Sequence, residues 1–275
     1  FVNGIDFASY RALNTSKNKP LLNRALRGIY PPGSTIKPLM ALAGLEYGVV
    51  SRHSGVFCPG FYRLPGSSHR FRDWKRGGHG SVGMDRAIAQ SCDVYFYDLA
   101  VKVGIDRLHE FLDQFSMGRQ TGVDLPGEKG ALLPSQEWKR RVQKQPWFSG
   151  DTVSFGIGQG FFLTTPLQLA HATAVISQRG ENFKPRVLYA TEHPGTRVKT
   201  VEAPRPLPPV TVKNPRFWDA VITGMIHVVE GGTAHKIGAG AKYRIAGKTG
   251  TAQVFTLGQG EKYNAKHLAK HLLDH

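Results

Sequence analysis

Ser34 and Lys37 stand three residues apart, behind Pro32 and Gly33 and ahead of Leu39, Leu42 and Leu45. A turn followed by helically spaced leucines predicts a helix that starts at Ser34. Residues three apart share a helix face, so the Lys37 amine can reach the Ser34 hydroxyl. A serine hydroxyl attacks only when a base takes its proton, and a lysine is that base only where burial or a nearby cation lowers its pKa. The unpaired amides of a helix start offer donors to an oxyanion. Pro38 is tolerated because the first helical turn does not need its N–H. The alternative for this pair is a capped surface helix with Lys37 in water.

Two further clusters bear on that choice. Ser91, Cys92 and Asp93 lie between helical patterns at Met84 to Gln90 and Val94 to Ala100. Ser91 there either caps a helix or relays a proton between Lys37 and a leaving group, with Asp93 orienting a lysine. Lys248, Thr249, Gly250 and Thr251 follow Tyr243 to Gly247, a run suited to a strand. Lys248 and Thr249 can hold a carboxylate, and Gly250 lets a peptide lie close to the strand. An edge strand with a glycine bulge is the alternative. Together the three clusters supply a nucleophile with its amine, a polar shuttle and a carboxylate-binding strand.

In this order they resemble the penicillin-interacting serine acyltransferases, which combine S-x-x-K, S-x-N/D and K-T-G. Asp93 stands where many members carry Asn, which leaves the proton inventory of the site open. Tyr30 to Pro38, Gly156 to Gly160 with Thr165 to Gln168, and Gly247 to Val254 resemble class B penicillin-binding proteins. Arg72 to Lys75, Gly78 to Gly80 and Gly104 to Leu108 are similar to the elongation-specific penicillin-binding protein 2 group. These matches run from Phe1 to Asn264. The resemblance implies Ser34 as nucleophile, Lys37, Ser91, Asp93 and Lys248 around it, and Thr249, Gly250 and Thr251 at the substrate. The Thr251 N–H would complete an oxyanion hole with that of Ser34.

At 275 residues and 40% hydrophobic, the chain can bury one large core or two abutting lobes. No apolar run approaches the ~20 residues that span a bilayer. The opening on Phe1 and the close on His267 to His275 read as a piece of a longer protein. The resemblance places a membrane anchor and pedestal before it and further strands after it. Helical periods dominate from Ser34 to Phe115, broken by a Gly- and Arg-rich loop from Pro59 to Gly83. Asp106 is expected to cap a helix facing inward through Leu108, Phe111, Leu112 and Phe115. Thr165 with Pro166 opens another helix that Gly180 ends. Asn214 with Pro215 opens a third, ended by Gly231 and Gly232. Val187 to Tyr189 can form a strand. Helices first and mixed elements later argue α+β. The resemblance refines this to a transpeptidase fold, an all-α subdomain on a five-stranded antiparallel sheet that is incomplete here. The expected division is one domain fragment over 1–275, mainly helical at about 34–145 and mixed at 1–33 and 146–275.

The net charge is +16, but its basic residues are scattered, with modest clusters at Arg70 to Arg76 and Lys139 to Lys144. No aromatic–basic repeat accompanies them, so they read as solvated faces and no nucleic-acid partner is expected. An enzyme beside anionic lipids and acidic glycan–peptide strands tolerates such an excess. Cys58 and Cys92 are the two cysteines, and Asp73 and His79 stand between them. Two thiolates, one imidazole and one carboxylate form a tetrahedral zinc set, although the spacing matches no generic zinc signature. In the penicillin-binding protein 2 group some relatives hold zinc at these four positions, with Asp in place of Cys58. A disulfide, or two unlinked thiols, are the alternatives. His109, His171 and His227 lie on helical patterns and read as structural. His267, His271 and His275 receive no metal role.

By resemblance, the function is a peptidoglycan D,D-transpeptidase in cell elongation, at the periplasmic face of the bacterial inner membrane. Its partners would be stem peptides, β-lactam antibiotics, a SEDS-type glycan polymerase and elongation scaffold proteins. One alternative is a serine β-lactamase or D,D-carboxypeptidase, where water resolves the acyl-enzyme. The Glu-x-x-x-Asn stretch of class A β-lactamases is absent between Ser91 and Lys248. A second alternative is a β-lactam sensor or scaffold that acylates without turnover.

Overall fold

A computed structural model describes residues 3–51 and 54–251 of the chain. The order begins with α1 (Phe7–Thr15), α2 (Arg24–Arg27) and a 3-10 turn at Gly33–Ile36 that runs on into α3 (Lys37–Glu46). Strands β1 (Gly55–Cys58), β2 (Phe61–Tyr62), β3 (Phe71–Arg72) and β4 (Gly80–Gly83) follow. Helices α4 (Met84–Ala89), α5 (Asp93–Val103) and α6 (Ile105–Asp113) complete the helical lobe. Beyond it come α7 (Gln136–Trp138), which passes into a π turn at Lys139–Gln143, α8 (Ser149–Phe155) and α9 (Pro166–Ser177). Strands β5 (Ala190–Glu192) and β6 (Lys199–Val201), then α10 (Arg216–Glu230) and α11 (His235–Gly238), close the described chain.

Helix α3 is apolar almost all round, and every residue from Lys37 to Leu45 is buried. A helix with no polar face belongs in a core. Helices α5 and α10 pack on it, α4 packs on α10, and α8 packs on α5. α6 shows the opposite pattern: only its stripe of Ile105, Leu108, Phe111 and Leu112 is buried. The nucleophile candidate thus sits at the mouth of the most buried helix. Thr165 caps α9, and Gln168 returns the bond in a capping box. That fixes the start expected at Thr165 and Pro166.

The loop from Pro59 to Gly83 is more ordered than its composition suggests. β1 pairs antiparallel with β4 and β2 with β3, which brings Cys58 opposite Gly80. Three expectations need correction. Gly104 occupies the N-cap of α6, and Asp106 lies inside the first turn, where its carboxylate accepts from Gln136. The strand expected at Val187 to Tyr189 instead follows that stretch, starting at Ala190, because Asp124 accepts from the Val187 and Leu188 amides. Tyr243 to Gly247 forms no strand among the described residues, and the three sheets present are two-stranded ribbons. Ala252 to Val254, Tyr263, Asn264 and the histidines His267, His271 and His275 lie outside the described residues, as do Phe1 and Val2.

Candidate active site

The three clusters converge. Lys37 is fully buried, and its Nζ donates to Ser91 O at 2.9 Å, Ser91 Oγ at 3.1 Å and Asp93 Oδ1 at 2.6 Å. Three acceptors for three N–H donors is the environment of an ammonium. The Phe96 ring, one turn along α5, lies 5.4 Å from the same nitrogen. The i, i+3 relation puts Lys37 beside the Ser34 turn. Among the described residues, however, its hydrogen bonds go to the second cluster and none joins it to Ser34. Ser91 holds φ at 55°, a left-handed conformation that turns α4 into α5 and presents its carbonyl to Lys37. Trp74 braces that corner: its Nε1 donates to Ser91 O at 3.1 Å and its N–H to Asp93 Oδ2 at 3.1 Å. Trp74 entered the sequence reading only within the Arg72 to Lys75 resemblance, with no role at this corner.

The third cluster lies against the first. A Cβ on Gly250 would come within 2.6 Å of Thr35 Cγ2 and 3.2 Å of Thr35 N, so only glycine permits this approach. Lys248 Nζ donates to Thr249 O at 2.9 Å. Burial, and next the charge of Lys37, push the Lys248 pKa down from 10.5 to about 7, while Asp93 pulls the other way. Thr249 Oγ1 lies 2.6 Å from Thr233 Oγ1, beyond the end of α10. Gln159 Nε2 donates to Thr251 O at 3.2 Å. Thr233 and Gln159 escaped sequence reasoning. Gly156 to Gly160 stood out there only as a resemblance, and that was the one available signal for Gln159.

Behind Ser91, the side chains of Cys58, Asp73, His79 and Cys92 are buried, with one ligand atom of each within 4.8 Å of the others. Asp73 Oδ2 lies 3.5 Å from Cys58 Sγ and 3.4 Å from Cys92 Sγ, and His79 Nδ1 lies 3.6 Å from Cys58 Sγ. Tetrahedral zinc with bonds of about 2.0–2.3 Å has ligand–ligand edges near 3.3–3.8 Å, so the donor set fits. Burial pushes the Cys92 thiol well up and the His79 imidazole down. A cation would offset the cost of the buried thiolates. No disulfide joins the cysteines. Asp73 Oδ2 also accepts from the Asp93 and Val94 amides at 2.8 and 3.2 Å, so this cluster caps the helix that carries Asp93. His109, His171 and His227 instead bond Pro134 O, Asn182 and Asp85 in the packing of the fold.

Residues 7–272 match the profile described as the penicillin-binding protein transpeptidase domain. The chain belongs to that family. It is 46% identical to the peptidoglycan D,D-transpeptidase MrdA of Acinetobacter baumannii over 278 aligned positions, covering all of this chain and 40% of that relative. The chain therefore spans well under half of that relative's length. Pseudomonas aeruginosa PBP2 superposes with a TM-score of 0.83 at 47% identity, covering 91% of this chain and 54% of that one. Helicobacter pylori PBP2, in its complex with MreC, gives 0.80 at 34% identity, covering 91% and 45%. These neighbours establish the transpeptidase fold, with its sheet incomplete in the described residues.

Proposed function

We propose that the chain is the single transpeptidase domain of a peptidoglycan D,D-transpeptidase, mainly helical at about 34–145, with Ser34 as its acylated nucleophile. The observation that carries this reading is the Lys37 amine held by Ser91 and Asp93 at the start of α3, directly after the turn that bears Ser34. Lys37 takes the Ser34 proton once it has passed its own to the Ser91–Asp93 side. Ser34 Oγ then attacks the carbonyl between two D-alanines of a stem peptide. The main-chain N–H groups of Ser34 and Thr251 receive the oxyanion. Ser91 returns the proton to the departing D-alanine. Lys248 and Thr249 hold the terminal carboxylate, and Gly250 lets the donor peptide lie close. An amine of a second stem peptide resolves the acyl-enzyme and closes the cross-link, whereas a β-lactam acylates the same serine and stays.

Cys58, Asp73, His79 and Cys92 would hold one zinc ion. Four protein ligands leave no open position for water, so the ion supplies stability rather than chemistry. It would pin Cys92, and with it Ser91 and Asp93, against the helical lobe. The relatives' names support assignment to cell-wall cross-linking, and the MreC complex of the Helicobacter relative supports an elongation scaffold as partner. A SEDS-type glycan polymerase and a site at the periplasmic face of the inner membrane complete the proposal.

The test is intact-mass measurement after a penicillin pulse, with peptide mapping and a chase. One adduct on the Ser34 peptide that persists for many minutes is expected. An adduct on Ser91, or one still formed by Ser34→Ala, overturns the nucleophile. Loss of the adduct within seconds assigns a β-lactamase.

A further inference from the structure

The turn at Gly156 to Gly160 touches the elements of all three clusters. Gly156 lies on α5: a Cβ there would come within 2.6 Å of Ala100 Cβ and 2.7 Å of Phe96 O. Gly158 lies on the nucleophile turn. Its carbonyl accepts from Gly33 N at 2.9 Å, and a Cβ on it would sit 2.4 Å from Gly33 O. Its φ of +72° is a second reason for glycine. Gln159 then reaches the third cluster through its amide on Thr251 O. The turn itself is stiff. Gly158 N and Gln159 N bond back to Phe155 O and Ser154 O at 2.9 and 3.0 Å, and Phe155 stacks on Phe162 at 4.8 Å.

We infer that Gln159 is a positioning residue for acyl transfer, fastening the Thr251 peptide to the same turn that fastens Gly33. This rests on the acyl-transfer reading above. Among the described residues, 244–251 carry neither helix, strand nor turn, and no sheet partner fixes them. Holding the Thr251 carbonyl at Gln159 therefore restrains the Thr251 backbone, its N–H included, relative to the turn. Gly33 immediately precedes Ser34, so one rigid turn sets the spacing between the two N–H groups proposed for the oxyanion. Gln159 bonds the Thr251 carbonyl and not the N–H proposed for the oxyanion, so its effect belongs in the acylation step rather than in binding.

The experiment is stopped-flow acylation of the intact protein by a chromogenic cephalosporin, resolving the binding constant KS from the acylation rate k2. Gln159→Leu keeps the size and removes the donor. A misplacement on the ångström scale predicts a fall in k2 of about 10²-fold. KS should stay within about threefold of wild type and the thermal midpoint within a degree or two. Gln159→Glu supplies a second readout: its carboxylate repels Thr251 O at pH 8, whereas the protonated acid can donate again near pH 5. The ratio of k2 to wild type should thus rise on acidification, which a purely structural loss does not do. Unchanged k2 in Gln159→Leu overturns the inference, as does a Gln159→Glu ratio that stays flat with pH. Wild type that takes no label would remove the acyl-transfer reading together with this inference. Labelled wild type with an undisturbed Gln159→Leu removes the inference alone.

Discussion

Lys248 should make recognition of the substrate carboxylate depend on pH near neutrality. Its pKa lies at about 7, lowered first by burial and then by Lys37. At pH 6 about nine in ten Lys248 side chains carry the ammonium, and at pH 8 about one in ten. A β-lactam carboxylate stays ionised throughout, since such groups titrate near 3.5. The affinity that comes from this charge pair should fall about tenfold from pH 6 to pH 8, roughly 1.4 kcal/mol. Acylation rates also carry the titration of the groups around Ser34. The assay is therefore the ratio of k2/KS for a free-acid β-lactam to that for its methyl ester, in which those groups cancel. The ratio should decline through pH 7 in the wild type and stay level in Lys248→Arg, whose guanidinium keeps its charge. A wild-type ratio that is level from pH 6 to pH 8.5, or a slope retained by Lys248→Arg, refutes the reasoning. Linkage gives an independent sign. The unfolded chain holds the Lys248 proton up to about 10.5 and the folded chain releases it near 7. The unfolded state binds more protons in that window, so Lys248 makes stability rise with pH across it.

Lys37→Arg and Lys37→Ala should slow acylation by about 10²–10⁴-fold, the usual worth of a positioned general base, at a measurable thermal midpoint. Near-normal acylation by the arginine variant would exclude Lys37 as the base. Zinc removal by chelation from the intact protein should lower the thermal midpoint and reduce, without abolishing, acylation of Ser34. An intramolecular Cys58–Cys92 disulfide, or metal-free protein of unchanged stability, defeats the zinc proposal. Lys139 is buried between Trp147, Phe148 and Phe161 and paired with Asp151 at 2.5 Å. Lys139→Met should lower stability in calorimetry, because it leaves the partly buried Asp151 charge with only the Phe148 amide and water. Adding Asp151→Asn, which drops the charge and keeps an acceptor for the Phe148 amide, should restore part of the loss, and a double variant no better than the single one contradicts the account.

What the sequence made legible was what local periodicity controls. The helices on either side of Ser91, the capped start of α9 and the two ends of α10 all follow from 3.6-residue spacing and terminal residues. Asp106 failed as a cap because Gly104, at φ 85°, already makes the corner into α6, and no residue count reveals which of two neighbours turns the chain. Tyr243 to Gly247 failed as a strand for a different reason. Strand propensity becomes a strand only with a ladder partner, and the described residues bring none to that segment.

The candidate site divides along the same line. Residue types and spacing nominated Ser34, Lys37, Ser91, Asp93 and Lys248, and the fold brings their elements together. Spacing also suggested that Lys37 would turn to Ser34, three residues away. Its hydrogen bonds go instead to residues 54 and 56 positions along the chain. A buried ammonium must satisfy three donors, and a lone hydroxyl on its own helix cannot do so, whereas a carbonyl, a hydroxyl and a carboxylate on one corner can. The same rule explains why Gln159, Thr233 and Trp74 stayed hidden. Each acts through hydrogen bonds to groups far away in the chain, and such bonds leave no periodic trace in a sequence. They become visible only when distant elements meet, and in this fold they meet around Ser34.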